Sequence, residues 1–103
     1  MINENFVQAI KEMKLVKVVF DSYEKGRITR ICVPFDYGPS RRYKDGKERY
    51  HFYDLDSPSS IHNLSILPEQ LVNIEILNES FTPADYVKWT PKWFLKRDWG
   101  LYS

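Results

Sequence analysis

The sequence has few of the residues on which several common functions depend. Its 103 residues include one cysteine, two histidines and four glycines. No intramolecular disulfide is therefore possible, and we find neither a zinc-ligand spacing nor a phosphate-binding glycine loop. No apolar run is long enough to span a membrane, and residues 1–14 lack the apolar centre of a signal peptide. We expect a cytoplasmic protein that binds no metal or cofactor.

The sequence is also nearly neutral overall. Lysine and arginine total 15 against 14 acidic residues, a formal net charge of +1, so attraction to an anionic partner has to come from local clusters of cations. The length is close to that of common single domains, and the 43% of hydrophobic residues suffice for one modest core. We expect one domain over residues 1–103.

The N-terminal segment has the spacing of an amphipathic helix. Phe6 and Ile10 are four residues apart and share one helix face, and Asn5 with Gln8 resembles a capping box. The pattern predicts a helix over residues 3–14 that contacts the core by this face.

Five later segments alternate apolar and polar residues with the two-residue period of β-strands. They are Leu15 to Tyr23, Arg27 to Tyr37, Glu48 to Leu55, Ile61 to Leu67 and Leu71 to Leu77. In the second segment, alternate residues from Ile31 to Tyr37 should share one face. Pro34 has no backbone N–H donor, so it indicates that this strand lies at an edge, bends or ends there. In the fifth, Val72, Ile74 and Ile76 should face inward.

Turn signals separate these segments. Gly26 belongs to the first turn, and Asp45-Gly46 favours a tight hairpin turn before the third strand. Thr82 and Pro83 have the pattern of a helix start, which predicts a short C-terminal helix. Five short strands close most easily as a small antiparallel barrel. We therefore predict a mainly β (α+β) fold with a barrel over residues 15–81, preceded by a helix within 1–14 and followed by a helix and aromatic tail over 82–103.

The stretch RRYKDGKERY, residues 41–50, combines cations with tyrosines. Its cations could neutralise phosphates while its rings stack on unpaired bases, each stack contributing about 1–3 kcal/mol. Alternatively, the charges keep a hairpin tip soluble and protect a sheet edge from aggregation. The candidate residues for binding a nucleic acid or another anionic ligand in this stretch are Arg41, Arg42, Tyr43, Lys44, Lys47, Arg49 and Tyr50.

The C-terminal tail raises the same two alternatives. Its cations, Lys88, Lys92, Lys96 and Arg97, alternate with three tryptophans, which are the candidates for contact with a protein partner: Trp89, Trp93 and Trp99. Either the indoles form a cationic stacking surface, or they dock on the barrel and leave the lysines in solvent. Residues 51–87 carry six acids and no lysine or arginine. This unequal distribution favours self-association, unless the charges are simply dispersed over the surface.

Few residues suggest catalysis. Cys32 with His51 or His62 is a combination expected by chance, and a cysteine in a strand is usually a small buried hydrophobe. Asp54 and Asp56 could bind a hard cation, but a role at the entry to a loop fits their position better. We expect no catalytic residue and no metal site.

The order of these motifs resembles the WYL domain, a small Sm-like or SH3-like β-barrel of bacterial and phage regulatory proteins. The resemblance covers about residues 15–83. It includes LVKVVFDSYEKG, Arg30 with Pro34, the Asp-Gly hairpin and the closing strands, while Tyr50 is the residue kept from the name-giving triplet and Gln70 stands in place of an arginine. It implies an Sm/SH3-like barrel in which Arg30 and Tyr50 assist in binding a nucleic-acid or nucleotide-like ligand.

Two hypotheses follow. The first is a non-enzymatic binding or regulatory module for an anionic ligand such as single-stranded nucleic acid. The second is a protein-interaction or self-assembly module that uses the tryptophan-rich tail.

Overall fold

The structure is a computed structural model that describes residues 2–103. Its elements are α1 (Glu4–Glu12), β1 (Lys14–Ser22), β2 (Gly26–Pro39), β3 (Glu48–Asp54), β4 (Asn63–Ile66) and β5 (Leu71–Ser80), with single 3-10 turns at Pro68–Gln70, Pro83–Asp85 and Gly100–Tyr102. The predicted helix and five strands are thus present, with bounds close to those expected from periodicity. None of the helices in residues 2–103 is long and apolar enough to cross a membrane.

The start of α1 differs from the prediction in its capping residue. Asn3 is the N-cap, and its Oδ1 accepts the backbone N–H of Phe6 at 3.1 Å. Asn5 does not cap the helix, because its amide reaches away from α1 and donates to the carbonyl of Ile74 in β5 at 2.9 Å. Helix α1 is thereby attached to the sheet through Asn5 and through the buried side chains of Phe6 and Ile10.

The five strands form one antiparallel sheet in the order β4-β3-β2-β1-β5. The prediction of a mainly β protein with an antiparallel five-stranded sheet is confirmed, whereas the prediction that the strands close into a barrel is wrong. β4 has only four residues, and its outer edge does not pair with β5. On β5, the Ile74 carbonyl is taken by the Asn5 amide of α1, so the helix occupies part of the edge that closure would require.

β2 is bent at Phe35. Its pairing with β3 shifts register between Pro34 and Asp36, which leaves Phe35 unpaired as a β-bulge. Of the edge, bend or strand end that Pro34 indicated, the structure has the bend, since β2 is a central strand and continues beyond it. The prediction that Phe35 and Tyr37 share one face is wrong. Tyr37 packs on Tyr50 beneath α1, whereas Phe35 contacts Trp93 of the tail on the opposite face of the sheet.

A second register shift explains why Val72 does not face inward. The β1–β5 pairing changes register between Val19 and Phe20, and Val72 lies opposite this step. It is 44% exposed, whereas Ile74 is 1% exposed, as predicted. A single extra residue in one strand reverses the face of the residues beyond it, which alternation alone does not indicate.

The predicted C-terminal helix is reduced to one 3-10 turn, Pro83–Asp85. The side chain of Thr82 makes no capping hydrogen bond. Val87 is 3% exposed and Tyr86 packs on Tyr53, so the chain turns into the core directly after one turn. The remaining tail, from residue 88 onward, packs against Phe35 and Asp36 of β2 and reaches α1 through Trp99.

Candidate ligand-binding site

The tail is fixed to the bulge of β2 by Asp36. This carboxylate is 7% exposed, and it accepts the backbone N–H groups of Phe94 and Leu95 at 2.9 and 3.0 Å. The bulge makes this possible, because it places Asp36 on the same face as Phe35, towards the tail. Two tail backbone donors that would otherwise be buried without partners are therefore satisfied by one strand residue.

Arg97 completes this attachment. Its side chain is fully buried, and its Nη2 lies 3.4 Å from Oδ1 of Asp36. The guanidinium lies between two indoles, 4.0 Å from the ring centre of Trp93 and 4.4 Å from that of Trp99, and it donates to the carbonyls of Phe35 and Leu95. Burial lowers the pKa of Arg97 to about 10, while Asp36 opposes that shift. Arg97 is therefore still charged at neutral pH.

Trp99 anchors the end of the tail. It is 4% exposed, its Nε1–H donates to the carbonyl of Ile10 at 2.7 Å, and its ring packs edge-on against Phe81. Trp99 is thus a core residue that joins the tail to α1, and it lies outside any surface that a partner can reach.

Trp89 has a different environment from Trp99. It is 50% exposed and meets Phe35 and Trp93 edge-on, with ring centres 5.7 and 6.1 Å apart. Beside it lies a cavity of about 300 Å³ between the tail, the β2–β3 loop and β4. The tail contributes Trp89, Thr90, Lys92, Trp93 and Phe94 to its lining.

The loop of residues 40–47 forms the opposite wall of this cavity. It replaces the predicted two-residue turn, and of its Asp45-Gly46 pair only Gly46 has a positive φ, at 73°. Its first half is ordered by Ser40, whose Oγ accepts the backbone N–H groups of Arg42 and Tyr43 at 3.1 and 3.2 Å. Arg41, Arg42 and Tyr43 then line the cavity opposite the tail.

The second half of the loop is closed by Arg49. Its guanidinium makes two hydrogen bonds to the carboxylate of Asp45, at 3.0 and 2.9 Å, and lies 4.4 Å from the ring centre of Tyr43. The bonds from Arg49 lower the pKa of the Asp45 carboxyl well below its usual range. Arg49 is only 8% exposed, so it positions Tyr43 and the loop and does not itself line the cavity.

His51 and Ser65 form part of the cavity lining on the sheet. They are directly opposite each other on β3 and β4, and Nδ1 of His51 lies 2.8 Å from Oγ of Ser65. Nε2 of His51 lies 2.9 Å from the carbonyl of Gly38. Because a carbonyl only accepts, Nε2 carries the proton, and in the neutral ring Nδ1 accepts from the Ser65 hydroxyl.

The other predicted ligand-binding residues lie elsewhere. Arg30 pairs with Asp54 at 3.3 Å, away from the cavity. Tyr50 is 2% exposed, and its hydroxyl accepts the backbone N–H of Asn3. Lys44 and Lys47 are exposed in the loop but are not part of the cavity lining.

Two residues that organise the site have no obvious signal in the sequence. Asp36 stands within an apolar strand, and Arg97 is one of several tail cations, yet they form the contact that fixes the tail. The one signal that could have suggested a buried position for Arg97 is its place between Trp93 and Trp99. Phe94, 63% exposed, is a further aromatic residue of the cavity that the pattern of tryptophans concealed.

The combinations considered for catalysis and metal binding are not assembled. Cys32 is fully buried, and burial raises the pKa of its thiol far above the usual range. Asp54 and Asp56 hold the loop after β3: Asp54 accepts the backbone N–H of Asp56 at 2.9 Å, and Asp56 accepts that of Ile31 at 2.7 Å. Within residues 2–103 no three histidine, cysteine or acidic side chains are grouped as metal ligands.

Comparison with known proteins does not indicate what the cavity binds. No family of known proteins, no curated protein and no solved structure matches the chain.

Proposed function

We propose that the protein is a non-enzymatic binding module for an anionic ligand, with single-stranded nucleic acid as the first class to test. The observation that carries this proposal is the convergence of two basic segments on one cavity. Arg41 and Arg42 come from the β2–β3 loop and Lys92 from the tail, 50 residues later in the chain, and all three line the same 300 Å³ space. A volume of this size is at the lower end of the range for small-ligand sites.

The charges around the cavity favour an anion. Within residues 2–103, none of the ion pairs involves Arg41, Arg42 or Lys92. The one carboxylate in the lining, that of Asp36, is already bonded to two backbone N–H groups and to Arg97. Three unpaired cations therefore surround a space whose only acid is neutralised, which is the electrostatic arrangement that attracts phosphates.

The aromatic wall favours a ligand with a flat group. Trp89 is half exposed and is held edge-on by Phe35 and Trp93. Stacking of a base on an aromatic side chain contributes about 1–3 kcal/mol and depends little on which base is bound. Cations that contact phosphates beside a ring that stacks on a base are the combination used for single strands.

We further propose that the fold is an open-sheet relative of the Sm/SH3-like folds and of the WYL domain. The strand order β4-β3-β2-β1-β5 supports this, as does the link of only four residues, 67–70, between the two edge strands. Such a short link requires the sheet to curl enough to bring the end of β4 near the start of β5. Gln70 stabilises the link, since its side chain bonds the backbone of Leu67 and of Asp21.

Fluorescence anisotropy with a labelled twelve-residue oligothymidylate at low salt tests the proposal. The unmutated protein should bind, and affinity should fall steeply as salt is raised, because bound phosphates displace counterions. The double variant R41E/R42E should lose binding. A matched double variant, K11E/K25E, makes the same change in charge at exposed positions outside the cavity and should still bind.

Absence of binding by the unmutated protein to this probe would exclude the nucleic-acid form of the proposal. Equal loss in both double variants would show a dependence on net charge and contradict a localised site. Charge reversal of Arg49 is unsuitable as a test, because Arg49 holds Tyr43 and Asp45 in place.

A protein-interaction role for the tail is the second candidate, and exposed aromatic surface supports it. Trp89 and Phe94 are 50% and 63% exposed and line the same cavity. Truncation of the tail is a poor test of this role, because Trp99 and Arg97 belong to the core. The variant F94S/W89S, which leaves both core residues in place, should abolish partner binding if this role is correct.

A further inference from the structure

β4 presents an unpaired strand edge next to the cavity. The backbone N–H of Asp54 donates to the carbonyl of His62 at 2.7 Å, which identifies the position of the hydrogen-bonded pairs between β3 and β4. Such pairs alternate along an antiparallel ladder, so Leu64 and Ile66 bond to β3, whereas Asn63 and Ser65 direct their N–H and C=O groups outward. No further strand lies beyond β4 in residues 2–103.

The opposite edge of the sheet is protected, and the edge at β4 is not. β5 has α1 beside it, with the Asn5 amide on the Ile74 carbonyl, and it carries the acids Glu75 and Glu79. Proteins prevent an edge from pairing by keeping the edge strand short, by charges, by prolines and by covering elements. β4 is short, but its four residues, Asn-Leu-Ser-Ile, carry no charge and no proline.

The surroundings of β4 indicate what would pair with it. Asn63 and Ser65 point their side chains to the cavity face, so a strand added beside β4 places alternate side chains on that face. Those side chains meet Arg41, Arg42 and Lys92, whose charges favour acids. Ile61, 64% exposed, precedes β4 and offers an apolar contact at one end.

The geometry points to β4 as a docking edge for an extended acidic segment of a partner protein, which adds as a sixth strand and places alternate carboxylates in the basic cavity. Backbone hydrogen bonds to Asn63 and Ser65 supply much of the affinity, and the three cations select acidic side chains. This site goes beyond the proposed function, because it uses an edge of the sheet that a nucleic acid has no need to contact.

The probe is a labelled heptapeptide, acetyl-Glu-Val-Glu-Val-Glu-Val-Glu-amide. A strand in antiparallel register with Ser65 has its glutamate N–H groups towards β4 and its valine N–H groups towards solvent. Methylation of the glutamate nitrogens should therefore weaken binding at least tenfold, whereas methylation of the valine nitrogens should leave it unchanged. The peptide with lysine in place of glutamate should not bind.

Amide hydrogen exchange provides a second measurement on the protein itself. The amides of Asn63 and Ser65 should exchange quickly in the free protein and slowly with the peptide bound, whereas those of Leu64 and Ile66 should be slow in both. Asn63→Pro removes an outward N–H and should abolish binding, and Asn63→Ala, which keeps it, should not. If Asn63→Pro does not fold, the two methylated peptides still decide the question.

Any of the following results overturns the proposal. The first is binding that is equal for the glutamate-methylated and valine-methylated peptides. The second is peptide binding without added protection of Asn63 and Ser65, or no binding at millimolar peptide. The third is protection of these amides already in the free protein together with a dimer mass in solution, which would assign the edge to a second copy of the chain.

Discussion

The β2–β3 loop and the C-terminal tail are two basic, aromatic segments of similar composition, and each uses one arginine for structure. At the end of the loop, Arg49 of β3 pairs with the partly exposed Asp45 and stacks on Tyr43. In the tail, Arg97 pairs with Asp36 in the interior, between two indoles. In both cases an arginine that contacts an aromatic ring and pairs with an aspartate stabilises the segment, and Arg41, Arg42 and Lys92 line the cavity.

The two arginines differ in what their loss should cost. Arg97 is fully buried and bonds to the main chain of both β2 and the tail, so its removal leaves Asp36 charged and buried. Arg49 closes a local loop, and its partner Asp45 is 39% exposed. A segment fixed from the interior is part of the fold, whereas one fixed at the surface can loosen by itself.

The largest effect is expected for Arg97→Ala. Removing one partner of a buried ion pair costs roughly 3–5 kcal/mol, and here the packing against two tryptophans is lost as well. Chemical denaturation should show this decrease in the free energy of unfolding. A decrease of less than about 1 kcal/mol would mean that the tail is not fixed through this contact.

Two tryptophans separate stability from binding. Trp99→Ala should cost roughly 3–5 kcal/mol of folding free energy, because it removes a buried aromatic side chain. Trp89→Ala should leave the free energy of unfolding within about 1 kcal/mol and lower the affinity for the oligothymidylate by roughly 5- to 150-fold, the equivalent of one stack. Chemical denaturation of the two variants compares their stability, and fluorescence anisotropy compares their affinity for the oligothymidylate. Similar losses of stability in both would show that Trp89 is also a core residue.

Arg49→Ala should act locally. Asp45 and Tyr43 lose their partner, so amide exchange should rise in residues 40–47 and remain unchanged in β1 and β5. The unfolding midpoint should move much less than in Arg97→Ala. Increased exchange throughout the sheet would contradict the division into a surface segment and an interior one.

Acid should loosen the β2–β3 loop. Arg49 lowers the folded-state pKa of Asp45 below its unfolded value of about 3.9. The contribution of this pair to stability is therefore fully present above pH 4 and is lost as the pH falls towards the lowered value. Below pH 4, the NMR signals of the amides in residues 40–47 should broaden, and these amides should exchange with solvent less slowly than the folded loop requires. The variant Asp45→Asn should show the same behaviour at neutral pH.

The sequence was informative where local pattern determines structure. The face of Phe6 and Ile10 predicted α1, and the alternation of Val16, Val18 and Phe20 predicted a half-buried strand, and these residues are buried in the structure. Periodicity could not reveal the register shifts at Phe35 and Val72. The apolar residues around each shift fit an uninterrupted strand equally well. The start pattern at Thr82 and Pro83 predicted a helix, but the packing of Tyr86 and Val87 ends it after one turn.

The candidate site was predicted in part. Arg41, Arg42 and Tyr43 were named as candidates for ligand binding, and Trp89 and Trp93 as candidates for contact with a protein partner. All five line the cavity. Their proximity depends on the contact between Asp36 and Arg97, which are 61 residues apart. A single sequence gives no signal for such a pairing, since it arises from the bulge that turns Asp36 towards the tail.

The most direct test of the central claim is a titration of the ¹⁵N-labelled protein with the oligothymidylate, followed by NMR. If the loop and the tail bind one ligand together, the amide of Arg42 and the indole N–H of Trp89 should shift along the same saturation curve and give one dissociation constant. The indole signal of Trp99, whose N–H is bonded to Ile10 within the core, should stay in place. Shifts confined to one segment, or two different dissociation constants, would contradict a shared site.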